Sequence, residues 1–319
     1  MDVSDGTEAG QRADGPACYR HPRRPALARC SRCERPICDA DLIDAPVGYQ
    51  CPACAEGGRP VRRLADLRTT AGLTRVLVGV IAVVFVLTQL VPGLTATFGL
   101  RPALVGPSGP ELFEAVFADY RASAPARVLG EPWLLLTSAL LHANLMHVAF
   151  NGLLLWQLGH LLEPALGRAR YVALCLAGTA GGGLGVVALS WATVVTSTAT
   201  TAVGDVLGGN PFQPTIGASG MVFGLMGAAL VGLRSRGIDP WRSGIGALVV
   251  LNLVITFVVP GISVGGHVGG LAGGALAGRW LFVERGRARA ATTRVLLASL
   301  VALGLAVVLA EQLVAALLR

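Results

Sequence analysis

The stretch Thr215-Ile216-Gly217-Ala218-Ser219-Gly220-Met221-Val222-Phe223-Gly224 opens an apolar run that continues to Leu233. Such a run is about long enough to cross a bilayer, which takes roughly 20 apolar residues in a helix. Ser219 lies near its start, between glycines that let another backbone or a substrate come close. A serine in a membrane helix more often bonds a carbonyl one turn back, and glycines more often serve packing. Ser219 alone is therefore weak evidence for a nucleophile.

Three further polar side chains lie in apolar runs, where a polar group is costly and needs a reason. They are His147, Asn151 and His267. His147 and Asn151 are four residues apart and share one face of a helix. We expect them to meet Ser219 and His267 in one cavity in the outer half of the membrane. His142 is expected to point elsewhere and to contact the long outer loop.

The composition predicts an integral membrane protein, because 53% of the residues are hydrophobic and only 14% are charged. A soluble domain has about 25% charged residues. The net charge of +7 comes mostly from arginines in the N-terminal segment and the short loops. We interpret these arginines as residues that set the orientation of the spans in the membrane and contact lipid headgroups. We expect no nucleic-acid partner. No cleavable signal peptide is recognised, so the first apolar segment is expected to direct insertion.

The fold class predicted is an all-α polytopic membrane protein. The chain has seven apolar runs near or above spanning length, at about 73–91, 134–162, 171–195, 216–233, 243–259, 264–283 and 295–318. Six of them form a predicted core, residues 73–284, and residues 285–319 add a cytosolic loop and a seventh helix. We expect this last helix to have no polar interior and no part in catalysis.

Arginines in alternate loops predict the orientation of the spans. They cluster before the first span and after the second, fourth and sixth, whereas loops 196–215 and 260–263 contain no lysine or arginine. We therefore place the N-terminus in the cytosol and the C-terminus outside, in a plasma membrane, and expect the bacterial inner membrane. The first outer loop, about 92–132, holds an amphipathic stretch at 111–117 that we expect to lie in the membrane interface.

Glycines predict that the fourth and sixth spans cross closely. Small residues on facing helices let the two backbones approach. Such a crossing would bring Ser219 within hydrogen-bond reach of His267. The glycines repeat at intervals of three or four residues: Gly220, Gly224 and Gly227 in the fourth span, and Gly266, Gly270, Gly274 and Gly278 in the sixth.

The N-terminal segment carries six of the seven cysteines, between residues 18 and 54. Metal ligands fall in four pairs: Cys18-x2-His21, Cys30-x2-Cys33, Cys38-x2-Asp41 and Cys51-x2-Cys54. Four pairs suffice for two tetrahedral zinc sites, and metal would supply folding free energy to a segment too small to bury a core. Disulfides are the alternative, disfavoured by the repeated spacing and by the predicted cytosolic location.

The pattern of ligand pairs resembles a B-box-like zinc finger, in which two sites interleave. The resemblance implies one site from Cys18, His21, Cys38 and Asp41, and another from Cys30, Cys33, Cys51 and Cys54. Asp41 stands where cysteine or histidine is usual, so either the first site binds zinc more weakly or Asp41 is not a ligand. No position is left open for water, so we expect a structural module with a cytosolic protein partner. We place it at 16–58, between a disordered tail, 1–15, and a basic linker, 59–72.

Ser219 with His267 has the chemistry of a minimal activated nucleophile, in which the imidazole takes the hydroxyl proton and later returns it to a leaving amine. No Asp or Glu lies in the interior of the second, fourth or sixth span, so we expect no third member. His147 and Asn151 are candidate donors to an oxyanion. The Ser-His pair alone also fits a polar helix contact, but the full set favours peptide-bond hydrolysis.

Three motifs together resemble the rhomboid family of intramembrane serine proteases, over about residues 73–283. They are His142-Ala-Asn-Leu-Met-His147-Val-Ala-Phe-Asn151, Gly217-Ala218-Ser219-Gly220 and Gly266-His267-Val-Gly-Gly270. The resemblance implies a Ser219 nucleophile, a His267 base, and an oxyanion hole of His147, Asn151 and the Ser219 N–H, with His142 and Gly217 in support. It also implies transmembrane protein substrates and no catalytic cofactor.

Two features around the second span bear on this resemblance. Glu163 and Gly167 match a turn that the family has after the span. Trp133-Leu134 departs from the usual Trp-Arg, so the outer loop is expected to be anchored differently.

Rival functions are less well supported by the sequence. An inactive rhomboid-like protein that binds transmembrane clients would be expected to lack Ser219 or His267. A transporter or channel would show internal repeats or charges inside helices, and a membrane metalloprotease would need a His-Glu motif in a span. Neither pattern is visible.

Overall fold

The computed structural model describes residues 16–45, 48–56, 71–106, 108, 130–195, 212–283 and 288–318. The predicted tail at 1–15, nearly all of the basic linker and the amphipathic stretch at 111–117 lie outside these residues. The chain divides into two compact units, Met1–Asp66 and Leu67–Arg319.

The first unit is built from short antiparallel strand pairs. Its core consists of Cys30, Ile37 and Cys51, against which Tyr19 and Leu42 pack. So few apolar side chains cannot stabilise a fold by themselves, which is the usual condition of small metal-dependent domains. The elements are β1 (Ala28–Arg29) paired with β2 (Pro36–Ile37), β3 (Ile43–Asp44) paired with β4 (Tyr49–Gln50), and the short helix α1 (Pro52–Glu56).

The second unit is a helical bundle. Its helices are α2 (Gly72–Leu90), α3 (Leu94–Phe98), α4 (Pro102–Val105), α5 (Leu134–Thr137), α6 (Leu145–Leu166), α7 (Arg168–Val195), α8 (Ser219–Arg234), α9 (Ile245–Val258), α10 (Val264–Gly278) and α11 (Ala288–Leu317). Helices α2, α6, α7 and α11 are long and apolar enough to cross a membrane, and α8 and α9 are shorter apolar helices. Each of the seven predicted spans falls on a helix, which confirms the all-α polytopic class.

The predicted start of the second span, residue 134, is wrong. Residues 134–140 form short helical turns, and α6 begins only at Leu145. The cause is Asn144, which is extended and whose side-chain oxygen accepts the His147 N–H at 2.9 Å. A side chain that caps the free N–H groups in this way fixes the first turn of a helix. His142 therefore precedes the helix instead of lying on it.

Two other boundaries also differ from the expected ones. The fourth span was predicted from 216, but α8 begins at Ser219, so the serine is the first helical residue. The seventh was predicted from 295, but α11 begins at Ala288.

Helices α8 and α10 meet through their glycines, as predicted. A Cβ at Gly270 would overlap the carbonyl oxygen of Gly220, and a Cβ at Gly274 would overlap that of Gly224. A Cβ at Gly278 would lie 2.8 Å from the Cα of Ala228. The two backbones are therefore in direct contact, which only small residues allow.

Helix α7 joins the same contact, which the sequence analysis did not single out. A Cβ at Gly181 would lie 2.6 Å from the oxygen of Gly269, and one at Gly182 would lie 3.1 Å from the Cα of Gly220. Three helices thus share one glycine-lined centre.

Glu163 ties the end of α6 to the beginning of α2. Its buried carboxylate accepts the N–H of Leu73 at 3.0 Å and the N–H and hydroxyl of Thr74, both at 2.8 Å. A carboxylate at a helix N-terminus satisfies free N–H groups and interacts favourably with the helix dipole. Gly167 ends α6 with a φ of 80°, a left-handed conformation that glycine adopts readily.

The expectation that the seventh helix has no polar interior is wrong. Near the end of α11, Glu311 accepts the N–H of Ser108 at 2.8 Å and the Ser108 hydroxyl at 2.9 Å. Beside this contact, Leu104 of α4 and Leu134 of α5 pack with Ala310 in a common apolar cluster. Helix α11 therefore anchors the loop segment around α4.

The glycine contact makes a direct prediction about stability. Gly274→Ala should lower the unfolding free energy by about 1–3 kcal/mol, because the new methyl group collides with backbone atoms that cannot turn aside. Thermal unfolding of the purified protein in detergent measures this as a lower Tm. The matched control is Gly304→Ala in α11, where a Cβ meets nothing within 4 Å. Equal melting temperatures for the two variants would contradict the close crossing.

Candidate active site

Ser219 is half-buried at the first position of α8. The first N–H groups of a helix have no partner within it and lie at the positive end of its dipole. The segment before the serine is held by backbone bonds: Leu100 and Thr215 exchange two, at 3.0 and 2.8 Å, and Gly217 N–H donates to Ser138 at 3.0 Å. Backbone donors suited to a developing negative charge thus lie beside the Ser219 hydroxyl.

Gly217 makes room for His147. Its φ is 133°, which favours glycine, and a Cβ there would lie 2.7 Å from His147 Nε2 and 3.7 Å from Ser219 Oγ. The histidine and the serine therefore border the same small space, on either side of a position that must lack a side chain.

His147 presents a donor to this space. The N–H of Ala143 donates to His147 Nδ1 in a long hydrogen bond of 3.4 Å. A neutral imidazole that accepts at one nitrogen carries its proton on the other, so Nε2 is the N–H that faces Gly217. Asn151, one turn later, is buried, and its side-chain amide donates to the His147 carbonyl at 3.0 Å. That bond uses one of the two amide protons.

His142 was expected to point away from the site, but it faces it. It is buried, its Nε2 accepts the N–H of Ala218 at 3.4 Å, and its ring packs edge-on against His147 at 5.0 Å. His142 therefore supports the residue directly before Ser219 and the neighbouring imidazole.

His267 lies in the first turn of α10, half-buried. Its ring stacks on Phe223 with centroids 4.1 Å apart and planes 22° apart. Its Nδ1 lies 2.6 Å from the hydroxyl of Thr256 on α9. Among the described residues no hydrogen bond joins Ser219 to His267, and Nε2 is the nitrogen that remains for it. Such bonds are often long without substrate and tighten in the reacting complex.

Phe223 and Thr256 are the two site residues that the sequence analysis missed. Phe223 follows Ser219 by one helical turn, so its spacing signals a shared face of α8. Thr256 gives little signal, because a threonine in a membrane helix usually bonds the carbonyl one turn back. It does so here, with Asn252 at 2.7 Å, but the same oxygen also meets His267.

In the N-terminal unit the described residues form two clusters of four potential metal ligands. Within each, all ligand atoms lie within 4.8 Å of one another, and the sets are the two implied by the B-box resemblance. In the first, the buried Asp41 carboxylate lies 3.2 Å from Cys18 Sγ and 3.1 Å from His21 Nδ1. Four converging S, N and O donors are compatible with structural zinc. The sets are Cys18, His21, Cys38 and Asp41, and Cys30, Cys33, Cys51 and Cys54.

One thiol of the second cluster, Cys30, favours the thiolate form that binds metal, whereas hydrogen bonds with Cys33 and Cys51 raise the pKa of Cys54 to about 12. Burial opposes ionisation of Cys30, but backbone N–H groups, that of Cys51 at 3.3 Å among them, outweigh it and lower the pKa of this thiol from 9.0 to about 6. A pKa lowered in this way favours the thiolate, which is the form that binds zinc.

The part of the chain that contains Ser219 and His267 is similar to known proteins. Residues 129–284 match the sequence model of the Rhomboid domain family. Over 137 residues the chain is 33% identical to Rhomboid protease GluP of Bacillus subtilis (strain 168), a match that covers 42% of this chain and 23% of that relative. The Rhomboid match contains Ser219, His267 and the glycine-lined centre of α7, α8 and α10. The part of the chain that holds the candidate site is therefore similar to the Rhomboid domain family.

Proposed function

We propose that the protein is an intramembrane serine endopeptidase that cleaves transmembrane segments with a Ser219–His267 dyad. The observation that carries the proposal is the shared geometry at the start of α8. Ser219 and His147 border one small space, and Phe223, one turn after the serine, stacks on the His267 ring. The similarity to a protein named as a rhomboid protease supports it.

In the proposed mechanism, His267 Nε2 takes the proton of the Ser219 hydroxyl as Oγ attacks the scissile carbonyl carbon. The oxyanion that forms accepts hydrogen bonds from the Ser219 N–H, His147 Nε2–H and the free amide proton of Asn151. His267 then protonates the leaving amine, which leaves an acyl-enzyme. Water attacks this ester with His267 as base, and the acid product departs as Ser219 regains its proton.

The proposed substrates are single-pass membrane proteins, cut near the outer face. The arginine distribution supports this, because it places the N-terminus of the chain in the cytosol, the C-terminus outside, and the start of α8 toward the outside of a bacterial inner membrane. A regular helix shields its peptide bonds, so small or helix-destabilising residues are expected at the cut.

The alternative is an inactive rhomboid protein that binds transmembrane clients. The observation in its favour is that Ser219 and His267 form no hydrogen bond among the described residues. Both side chains are nevertheless present, and Phe223, one turn after Ser219, stacks on the His267 ring, which favours the protease.

The dyad predicts a graded loss of reactivity. A fluorophosphonate probe should label Ser219, and labelling should vanish in Ser219→Ala and nearly vanish in His267→Ala, because an unassisted hydroxyl is a poor nucleophile. Asn151→Ala should slow cleavage of a transmembrane reporter by less than the roughly 10²–10³-fold cost of an oxyanion donor in a soluble protease, since two donors remain. Gel fluorescence and reporter cleavage measure these effects.

The control for the dyad is Ser299→Ala, which removes a buried hydroxyl that bonds the Val295 carbonyl within α11. It should label and cleave like the wild type. Wild-type cleavage by folded Ser219→Ala and His267→Ala variants would exclude the protease and leave the client-binding alternative.

The proposed topology predicts the side of cleavage. A single-pass reporter of known orientation should be cut in the outer half of its transmembrane segment. Mass spectrometry of the released fragment locates the bond, and Ser219→Ala shows that the cut depends on this site. Cleavage consistently in the cytosolic half would be incompatible with the proposed orientation.

We also propose that the N-terminal unit binds two structural zinc ions and contacts a cytosolic protein, without a role in basal proteolysis. Metal analysis of the full-length protein in reducing buffer should give a zinc-to-protein ratio near two. Replacing Cys30 and Cys33 by serine should remove one ion, because only the second ligand set is broken. Deletion of 1–60 should leave reporter cleavage intact. A zinc-to-protein ratio near zero contradicts zinc binding by the N-terminal unit. Loss of cleavage by a folded deletion variant contradicts the claim that this unit has no role in basal proteolysis.

A further inference from the structure

We infer that Thr256 is a positioning residue that sets the tautomer of His267. The inference rests on the proposed function for its catalytic meaning, since it concerns the base of the proposed dyad. The tautomer itself is a property of the resting protein and is measurable without catalysis.

Thr256 is the inward-facing polar contact of a helix that is otherwise largely exposed. Its side chain is 1% exposed, whereas the large residues around it on α9, such as Ile255 and Phe257, are 41% and 52% exposed. Besides Thr256, the buried positions of α9 are Gly246 and Val249. The hydroxyl therefore lies where α9 meets α10, directly against the His267 ring.

The hydroxyl has two close neighbours and a single proton. Its Oγ1 lies 2.7 Å from the Asn252 carbonyl oxygen and 2.6 Å from His267 Nδ1. Two oxygens with only lone pairs between them repel at 2.7 Å, so the hydroxyl proton lies toward Asn252. The hydroxyl can then only accept from His267, and Nδ1 must carry the imidazole proton. Nε2 is left with a free lone pair.

This tautomer is the one that a general base at Nε2 requires. Phe223 fixes the plane of the ring by stacking, and Thr256 fixes its rotation within that plane. After Nε2 has taken the serine proton, the Nδ1–H bond to Thr256 remains in place. The Thr256 hydroxyl thus orients the histidine, as the aspartate does in the Ser-His-Asp triad of a soluble protease. Unlike the aspartate, it places no buried charge in the membrane.

His147 provides an internal comparison. There the Ala143 N–H donates to Nδ1, so the proton lies on Nε2 and the ring offers a donor to the site. The two imidazoles face one site with opposite tautomers, each set by the partner of its Nδ1. One is then suited to donate to an oxyanion and the other to accept a proton.

The tautomer is tested directly by 15N NMR of histidine-labelled full-length protein carrying Ser219→Ala, with His267→Asn used for assignment. We expect His267 to show a protonated Nδ1 and an unprotonated Nε2. In Ser219→Ala with Thr256→Val, the proton should redistribute toward Nε2, and Thr256→Ser should restore the first pattern. A protonated Nε2 with Thr256 present, or no change in Thr256→Val, overturns the inference. Because this background is inert, failure of the proposed protease function leaves the result unaffected.

Kinetics tests the catalytic consequence. Thr256→Val should lower kcat for a transmembrane reporter roughly tenfold with KM unchanged, about the net worth of one hydrogen bond. Thr256→Ser should recover most of the rate. The matched control is Thr88→Val on α2, which removes a hydroxyl bonded to the Phe85 carbonyl at 2.7 Å and should cleave normally. An unchanged kcat in Thr256→Val, or a rise in KM alone, overturns the positioning role.

Discussion

The backbone contact between α8 and α10 is the constraint on which the rest of the membrane unit depends. At Gly270 and Gly274 a single methyl group would occupy space already held by carbonyl oxygens of α8, and α7 approaches the same centre through Gly181 and Gly182. Lipid gives helices little hydrophobic reason to associate, so close packing must hold them together. Ser219 lies at the start of α8 and His267 near the start of α10. The distance at which these two helices cross therefore sets the separation of the two side chains.

Buried polar side chains position the elements that the glycine contact of α7, α8 and α10 does not hold. Glu163 holds the start of α2 against the end of α6, and Glu311 holds the loop segment at Ser108. From Ser108 the connection to the site is continuous: α4 packs on α11, and Leu100, just before α4, pairs with Thr215. Thr215 begins the segment that ends at Ser219. The seventh helix, which sequence patterning suggested was inert, is thus joined through one loop to the residues that precede the nucleophile candidate.

The sequence predicted those features that depend on spacing along one element. Runs of apolar residues located the spans, and glycine intervals located the α8–α10 contact. The pairs of Cys, His and Asp residues located the two clusters of potential metal ligands. It failed where a side chain acts on a partner distant in sequence. The Asn144 cap moved the start of α6 by about three turns, because hydropathy does not register a hydrogen bond. Glu311 and Thr256 were missed for a similar reason: each stands in an apolar run, and only the fold shows what its oxygen meets.

A histidine in an apolar interior has no fixed chemical character of its own, because either nitrogen can carry the proton. The partner of Nδ1 decides, and both partners here are neutral: a backbone N–H for His147 and a threonine hydroxyl for His267. An ionised carboxylate in the place of the Thr256 hydroxyl would have to be desolvated. That costs free energy which only a cationic partner or several further hydrogen bonds would offset. A hydroxyl already bonded to its own helix carries no such cost, since its proton is committed to Asn252 and only its lone pair remains. The helix hydrogen bond that made Thr256 look unremarkable in the sequence is thus what turns it into an obligate acceptor for His267.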